Sequence, residues 1–549
     1  MPPTLTYPGV YVNELPSAVQ PIVGVPTSVA AFYGRAPQGQ VDYPYQVNSW
    51  ADYENEFGGL DTSYPLSYAV YLFFVNGGTT ALVVRYNDPN VLTASAQLSG
   101  DITLDASSSG DWGTQLHAEI DYENLLNPEV NLFNLRITQK QGSTVVTQEV
   151  YLGASLTKGN AQYLPTLLMA SRLVTPAAGN GWTQKPAVTE DLAFTFPASG
   201  AAGGGGAGAA GGGAAAGGAA GGGAAGGGAA GAAGGGAAGA APAGGAGDTG
   251  GPVPTLGDAG QKTGIYALLK ADIFNILCLP VDPLTTYDVQ TLSDAAQFCA
   301  TYRAMLIVDP PSDWTNIPPP LQFATITGSP ALSPASANAA IYYPNLVLTD
   351  STGATFNVGP CGAVAGVWAA TDNNRGVWKA PAGTAATISG ITGLTAQVDD
   401  GESGIINPLA VNGLRPMPVV GNAVWGARTT VGADQSPNQW KYIPVRRLAL
   451  YIEESLRRGM QWAVFEPNDE PLWSSLRLDV TTFMQGLFRQ GAFAGTTPAQ
   501  AYLVQCDANN NPPDQVALGI VNVLVGFAPL YPAEFVIINI QQQAGQAST

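Results

Sequence analysis

The clearest periodic signal lies near the C-terminus. Val445, Leu448, Ala449, Ile452 and Leu456 fall at i, i+3, i+4, i+7 and i+11, one apolar stripe of a helix. Gly459 stands where a cap is expected, and Arg457 with Arg458 suit the negative end of the helix dipole. Asn468-Asp469-Glu470-Pro471 then reads as the start of a second helix, which buries Leu472, Leu476, Val480, Phe483 and Leu487 and stops at Gly491. Three strand-like runs follow: Ala501 to Cys506, Ile520 to Phe527, and Glu534 to Ile540. Both ends read as extended, with Val10-Tyr11-Val12 near one and Phe535 to Ile540 near the other.

Elsewhere the period changes with position. Tyr64 to Val75 is bulky and apolar, as in a buried helix, and Leu82 to Arg85 follows the turn Asn76-Gly77-Gly78 as a short strand. Leu132 to Thr138 and Val145 to Leu152 flank the polar turn Gln139 to Ser143, which predicts a hairpin. Later the pattern alternates: a buried strand over Ile273 to Leu279, a helix over Thr291 to Ala304, and a strand over Ala304 to Val308 that Asp309-Pro310-Pro311 ends. Such alternation is the mark of an α/β core. Between these regions, Gly200 to Ala241 contains only Gly and Ala, with no side chain able to build a core. The whole predicts a mixed, multidomain α/β protein. An α/β core (21–95 and 257–440) is joined to a β-rich outer domain (96–197), a Gly/Ala-rich insertion (198–256), a C-terminal domain (441–530) and extended arms (1–20 and 531–549).

Composition removes more chemistry than it suggests. At 549 residues the chain has ample length for several cores, and it has no apolar run of the ~18 residues that a membrane-spanning helix requires. Its start, Met1-Pro2-Pro3-Thr4, lacks the features of a signal peptide, so folding in the cytoplasm is expected. The net charge of −19, from 21 basic and 40 acidic residues, argues against nucleic acid as a partner. The four cysteines are far apart and predict buried free thiols. One histidine, His117, excludes any zinc site that needs two imidazoles. Gly257 to Thr263 superficially resembles a phosphate loop, but Gln261 stands where that loop needs glycine. Ser155-Leu156-Thr157-Lys158 matches a penicillin-recognising signature, yet it follows a β-rich run rather than opening a buried helix. Glu453 and Glu454 are neighbours, which on a helix point to different faces and suit ion pairs better than a catalytic dyad. No catalytic residue, metal ligand or cofactor site emerges, and the chain reads as a non-enzyme.

Several blocks resemble the contractile tail sheath family, in family order. They are Tyr7 to Ser17, Val25 to Ala36, Ser336 to Pro344, Gly362 to Val367, Asp372 to Gly383, Val424 to Thr429, Arg446-Arg447-Leu448, Phe465 to Trp473, and Pro532 to Ile537. The Gly/Ala tract and Asn509 to Pro513 depart from it. The resemblance implies a subunit that stacks as hexameric rings around an inner tube and contracts without consuming nucleotide. It implies partners of four kinds: further copies, the tube, a baseplate and a terminator or cap. The particle served is a phage tail, a tailocin or an injection system. Strand exchange between copies would use Tyr7, Pro8, Gly9, Val10, Tyr11 and Val12 at one end and Phe535, Val536, Ile537 and Ile538 at the other. The C-terminal domain would face the tube, with Lys441, Arg446, Arg447, Arg457 and Arg458 as its candidate surface, unless Glu453, Glu454, Glu466 and Glu470 neutralise them. A non-contractile structural or surface-layer protein is the alternative.

Overall fold

Strands buried on both faces carry continuous apolar side chains, and this chain has several. Ala30–Gly34, Met305–Val308 and Ala339–Tyr343 are buried at every position. A computed structural model describes residues 21–88, 91–123, 125, 132–197, 256–282, 287–311, 314, 336–350, 352–435 and 437–537. Residues 1–20, with Tyr7 to Val12, the Gly/Ala tract and Ile538 lie outside the described residues. The chain divides into two compact units, 89–250 and the remainder.

In the larger unit, an eight-stranded sheet runs in the order Gly421–Val424, Val411–Met417, Ala339–Tyr343, Met305–Val308, Ile276–Cys278, Ala30–Gly34, Ala81–Arg85, Tyr45–Val47. The inner strands are parallel, and the two edge strands are antiparallel to their neighbours. Alternate side chains feed two cores. Phe32, Val83, Met305, Ile307 and Tyr342 face one, while Tyr33, Leu82, Leu306, Val308 and Ile341 face the other. All four cysteines are buried free thiols.

On the first face the helix Pro65–Val75 packs against Cys361–Arg375. The approach is close because Gly362 and Gly366 have no side chain. A Cβ would lie 2.1 Å from the Ala69 carbonyl oxygen at Gly362 and 2.5 Å from that of Phe73 at Gly366. Asp309, expected only to end a strand, also holds the second helix in place. Its carboxylate accepts from the Cys361 amide at 2.7 Å and the Val281 amide at 3.2 Å. Burial pushes its pKa up to about 6 against the pull of those hydrogen bonds.

The smaller unit is antiparallel, with the sheet order Thr189–Ala193, Leu116–Asp121, Leu132–Gln141, Thr144–Ser155. The expected hairpin is there, longer at both ends, because the strands pair from Leu132↔Ser155 to Gln141↔Thr144.

The C-terminal part of the larger unit is built on Ile443–Gly459 and Glu470–Arg489. Asp469 caps the second helix through the Leu472 amide. Both helices follow the apolar stripes, but Gly459 is no cap. It is the last residue of its helix, the cap position falls to Met460, and an added Cβ at Gly459 would be 2.7 Å from Ile22. Strands Tyr502–Gln505 and Leu524–Phe527 form a two-stranded sheet. The expected strand over Glu534 to Ile540 is absent through Ile537, because among the described residues no edge pairs with it.

The glycine contact makes a contrast that urea denaturation can read. Gly362→Ala is expected to destabilise by roughly 1–3 kcal/mol through overpacking. Gly404→Ala, in the helix Asp400–Ile406 with open space around it, should stabilise by roughly 0.5–1 kcal/mol. Equal midpoints for the two variants would refute the close helix contact.

Candidate assembly interface

The roots of both terminal segments lie in the C-terminal region. The first described residues run across the helix Ile443–Gly459. Ile22 joins the core formed by Leu448, Ile452 and Leu456, and the Val25 amide donates to Ser455 Oγ at 3.2 Å. Thr27 is tied twice, its hydroxyl to Asp372 at 2.7 Å and its carbonyl to Arg447 Nη2 at 2.9 Å.

That last contact belongs to a buried ion pair. Arg447 donates to both Asp372 oxygens, at 2.9 and 2.6 Å, with side chains only 3% and 2% exposed. Its guanidinium also lies over the Trp368 ring, 4.7 Å from the centroid. Arg447 therefore offers nothing to a surface, which corrects its place in the expected cationic patch. A helix position in an apolar environment is tolerable for arginine once its charge is paired.

The other four cations are also engaged. Lys441 meets Asp434 at 2.6 Å, and Arg446 meets Asn338 at 3.0 Å and Glu453 at 3.6 Å while stacking on Trp440. Glu454 accepts from Arg457 at 2.5 Å, Arg458 at 2.7 Å and Arg303 at 3.3 Å, and Arg458 reaches Asp272 at 2.8 Å. Burial alone would raise the Glu454 pKa; the Arg457 and Arg458 hydrogen bonds override it and hold the carboxyl down to about 2. Glu453 and Glu454 thus serve different arginines, as helix geometry requires. Glu466 and Glu470 take no part in this cluster; Glu470 pairs with Arg477. Arg457, with its side chain 44% exposed, is the most open of the five.

At the other end, Leu524–Phe527 pairs only with Tyr502–Gln505 among the described residues, so each strand keeps one open edge. Leu503 and Leu524 on this sheet are half exposed. Beyond it, Phe535, Val536 and Ile537 are 76%, 82% and 82% exposed. Glu534, just before them and partly exposed, meets the buried Arg428, a pair that no local pattern reveals. Phe465, in the loop between the two helices, is fully exposed with φ at 72°, a strained conformation for a bulky residue.

The residues of the rejected motifs make local contacts. The Gly257 to Thr263 turn is closed on itself: Asp258 accepts from the Gln261 amide at 2.7 Å, and its own amide donates to Thr263 Oγ1 at 3.0 Å. Ser155 is buried at the end of a strand and accepts from the Thr157 amide. His117 pairs with Asp191 at 2.7 Å. Among the described residues, no group of acidic, histidine or cysteine side chains is placed to hold a metal, and no helix is long and apolar enough to cross a membrane.

Residues 435–543 match the family model of the phage tail sheath C-terminal domain. The tail sheath protein of Enterobacteria phage T4 is 27% identical over 154 residues, which are 28% of this chain and 22% of that protein. The chain thus matches under a quarter of that relative's length. The sheath of an extracellular contractile injection system in its contracted state superposes with a TM-score of 0.52 at 20% identity, over 98% of this chain and 99% of the other. The sheath tail protein of Listeria innocua does so with a TM-score of 0.55 at 15% identity, over 93% and 97%. The fold of this mixed α/β, multidomain chain is that of these sheath proteins.

Two outcomes follow from the ion pairs. Asp372→Ala leaves Arg447 buried and unpaired and should cost about 3–5 kcal/mol. Lys441→Ala, at a partly exposed pair, should cost no more than ~1 kcal/mol. Chemical denaturation compares them; similar losses would mean Arg447 is not enclosed. For Glu454 the folded pKa is depressed, so its contribution is complete above the ordinary 4.5 and fades as pH falls towards about 2. Glu454→Gln should therefore lose less stability than the parent between those pH values. Parallel acid titrations would refute it.

Proposed function

We propose that this chain, which carries a phage tail sheath C-terminal domain and the sheath fold, is the structural subunit of a contractile sheath. Copies polymerise as stacked hexameric rings around an inner tube and contract to drive the tube through an envelope. Further partners are a baseplate and a terminator or cap. Assembly takes place in the cytoplasm, before the sheath joins a phage, tailocin or injection particle.

The observation that carries the reading is the two-stranded sheet, with an open edge on each strand, in the region from which both terminal segments leave. Two strands alone make a marginal sheet. An extended segment from a second copy, Tyr7 to Val12 or Phe535 to Ile538, would complete it. Each backbone hydrogen bond contributes a net ~0.5–1.5 kcal/mol, so a short added strand makes a joint of a few kcal/mol. Such a joint depends little on side chains and can tilt without parting. Tube contact, on this reading, falls to the rim of Lys441, Arg446, Arg457 and Arg458, whose partners would be exchanged or shared, with Arg447 left inside the fold. The energy of contraction is stored in the extended lattice, and the function needs no catalytic site.

Deleting residues 1–18 should leave a chain with the parental melting temperature that forms no sheath in negative-stain micrographs. Normal long and short tubes from this variant would sink the arm reading. Tubes of one fixed length from the parent chain would favour the non-contractile alternative.

A further inference from the structure

After the strand Leu524–Phe527, Ala528 still bonds through its backbone to Ala501 and Ala494. From residue 530 to 537, no backbone hydrogen bond to a described residue follows. In this stretch the hydrogen bonds belong to one side chain. The Glu534 carboxylate accepts from Arg428 Nε at 2.8 Å and Nη2 at 2.6 Å, a forked pair, and from the Tyr442 hydroxyl at 3.4 Å. Tyr531 adds a ring contact to Tyr442.

The receiving side is rigid. The Arg428 side chain is 1% exposed, and Nη1 donates to the Asn407 carbonyl at 2.8 Å and to Asp434 at 2.9 Å. Its amide donates to Asn412 Oδ1 at 2.7 Å, and its carbonyl accepts from Asn412 Nδ2 at 2.8 Å. Asn412 lies fully buried in the strand Val411–Met417 of the large sheet. Glu534 therefore ties the segment to the α/β sheet rather than to the two-stranded sheet it has just left. Three apolar side chains, Phe535, Val536 and Ile537, follow directly and stand in solvent. Residues 530–535 line a cleft of about 740 Å³ together with Trp378 and Trp425, yet Phe535, Val536 and Ile537 keep most of their own surface in solvent, where a loose tail would collapse onto that apolar surface.

We infer that Arg428 is a latch for Glu534 that fixes the exit point and direction of the C-terminal segment, and that a second copy of this chain receives the segment only when it is latched. The inference rests on the reading of that segment as an assembly arm. The physical gain is preorganisation. Ordering each backbone residue costs about 1–2 kcal/mol, and a root already held at Glu534 avoids part of that cost on association. The fork of arginine sets a direction that a point charge cannot.

Glu534→Gln tests the latch, since Arg428 keeps Asp434 and Asn407 and the fold is retained. Arg428→Lys is the second variant, keeping the buried charge while losing the fork. A nitroxide on Ile537→Cys reports mobility at the segment in the unassembled chain, because the native cysteines are buried. The label should be restrained in the parent and mobile in both variants, and sheath yield should fall on the order of tenfold. Unchanged mobility in both variants overturns the latch, and so does parental sheath yield from Glu534→Gln when deletion of 538–549 abolishes assembly. If that deletion assembles normally, the arm reading fails instead; greater label mobility in the variants would still support Arg428 as the anchor of the segment.

Discussion

A guanidinium removed from water has to be paired where it lies, and much of the larger unit is organised around that requirement at Arg447. Its two bonds to Asp372 join the C-terminal helix Ile443–Gly459 to Cys361–Arg375, the helix that packs directly on the sheet. A third bond, to the Thr27 carbonyl, fixes the N-terminal segment three residues before the first strand, which starts at Ala30. One side chain thus sets the mutual position of the N-terminal root, the core and the C-terminal helices. Replacing such a pair by apolar residues is often neutral, so its value need not lie in stability. It is better understood as a geometric constraint: the three elements meet in one arrangement because others strand a charge.

Much of this was legible in the sequence, and the remainder fails for identifiable reasons. The stripe from Val445 to Leu456 locates its helix to within a few residues, since burial on one face imposes its period on the side chains. That stripe says nothing of Arg447, because arginine is ordinarily a surface residue and its partner is 75 residues away in sequence. Gly459 suits a cap by local rules, whereas the structure uses it for the approach of Ile22, a contact across most of the chain. The run over Glu534 to Ile540 has the composition of a strand, but a strand also needs an edge, and within one chain the described part of it has none. Of the candidate interface, the C-terminal residues Phe535 to Ile537 were visible as an apolar extended run, while the Arg428–Glu534 pair was not. It joins two blocks, Val424 to Thr429 and Pro532 to Ile537, that separately carry no sign of each other.

Charge bears on how copies of such a chain can associate. At a net charge of −19, neighbouring copies repel, and the repulsion is screened only beyond a Debye length of about 8 Å at physiological salt. Several cations able to offset it are committed within the chain, at Asp372, Asp434, Glu453, Glu454 and Glu534. Side-chain ion pairs are therefore a weak basis for joining identical copies of this protein. Backbone edges escape the difficulty, because a strand ladder draws on amide and carbonyl groups that carry no net charge, and its bonds are independent of the residues beside them. The same reasoning fits the two arginines that bond the roots of the terminal segments, Arg428 at Glu534 and Arg447 at Thr27, both of which are turned inward. Their charge holds the roots of the segments at Glu534 and at Asp372 with the Thr27 carbonyl, and on the proposed reading the joining falls to uncharged backbone.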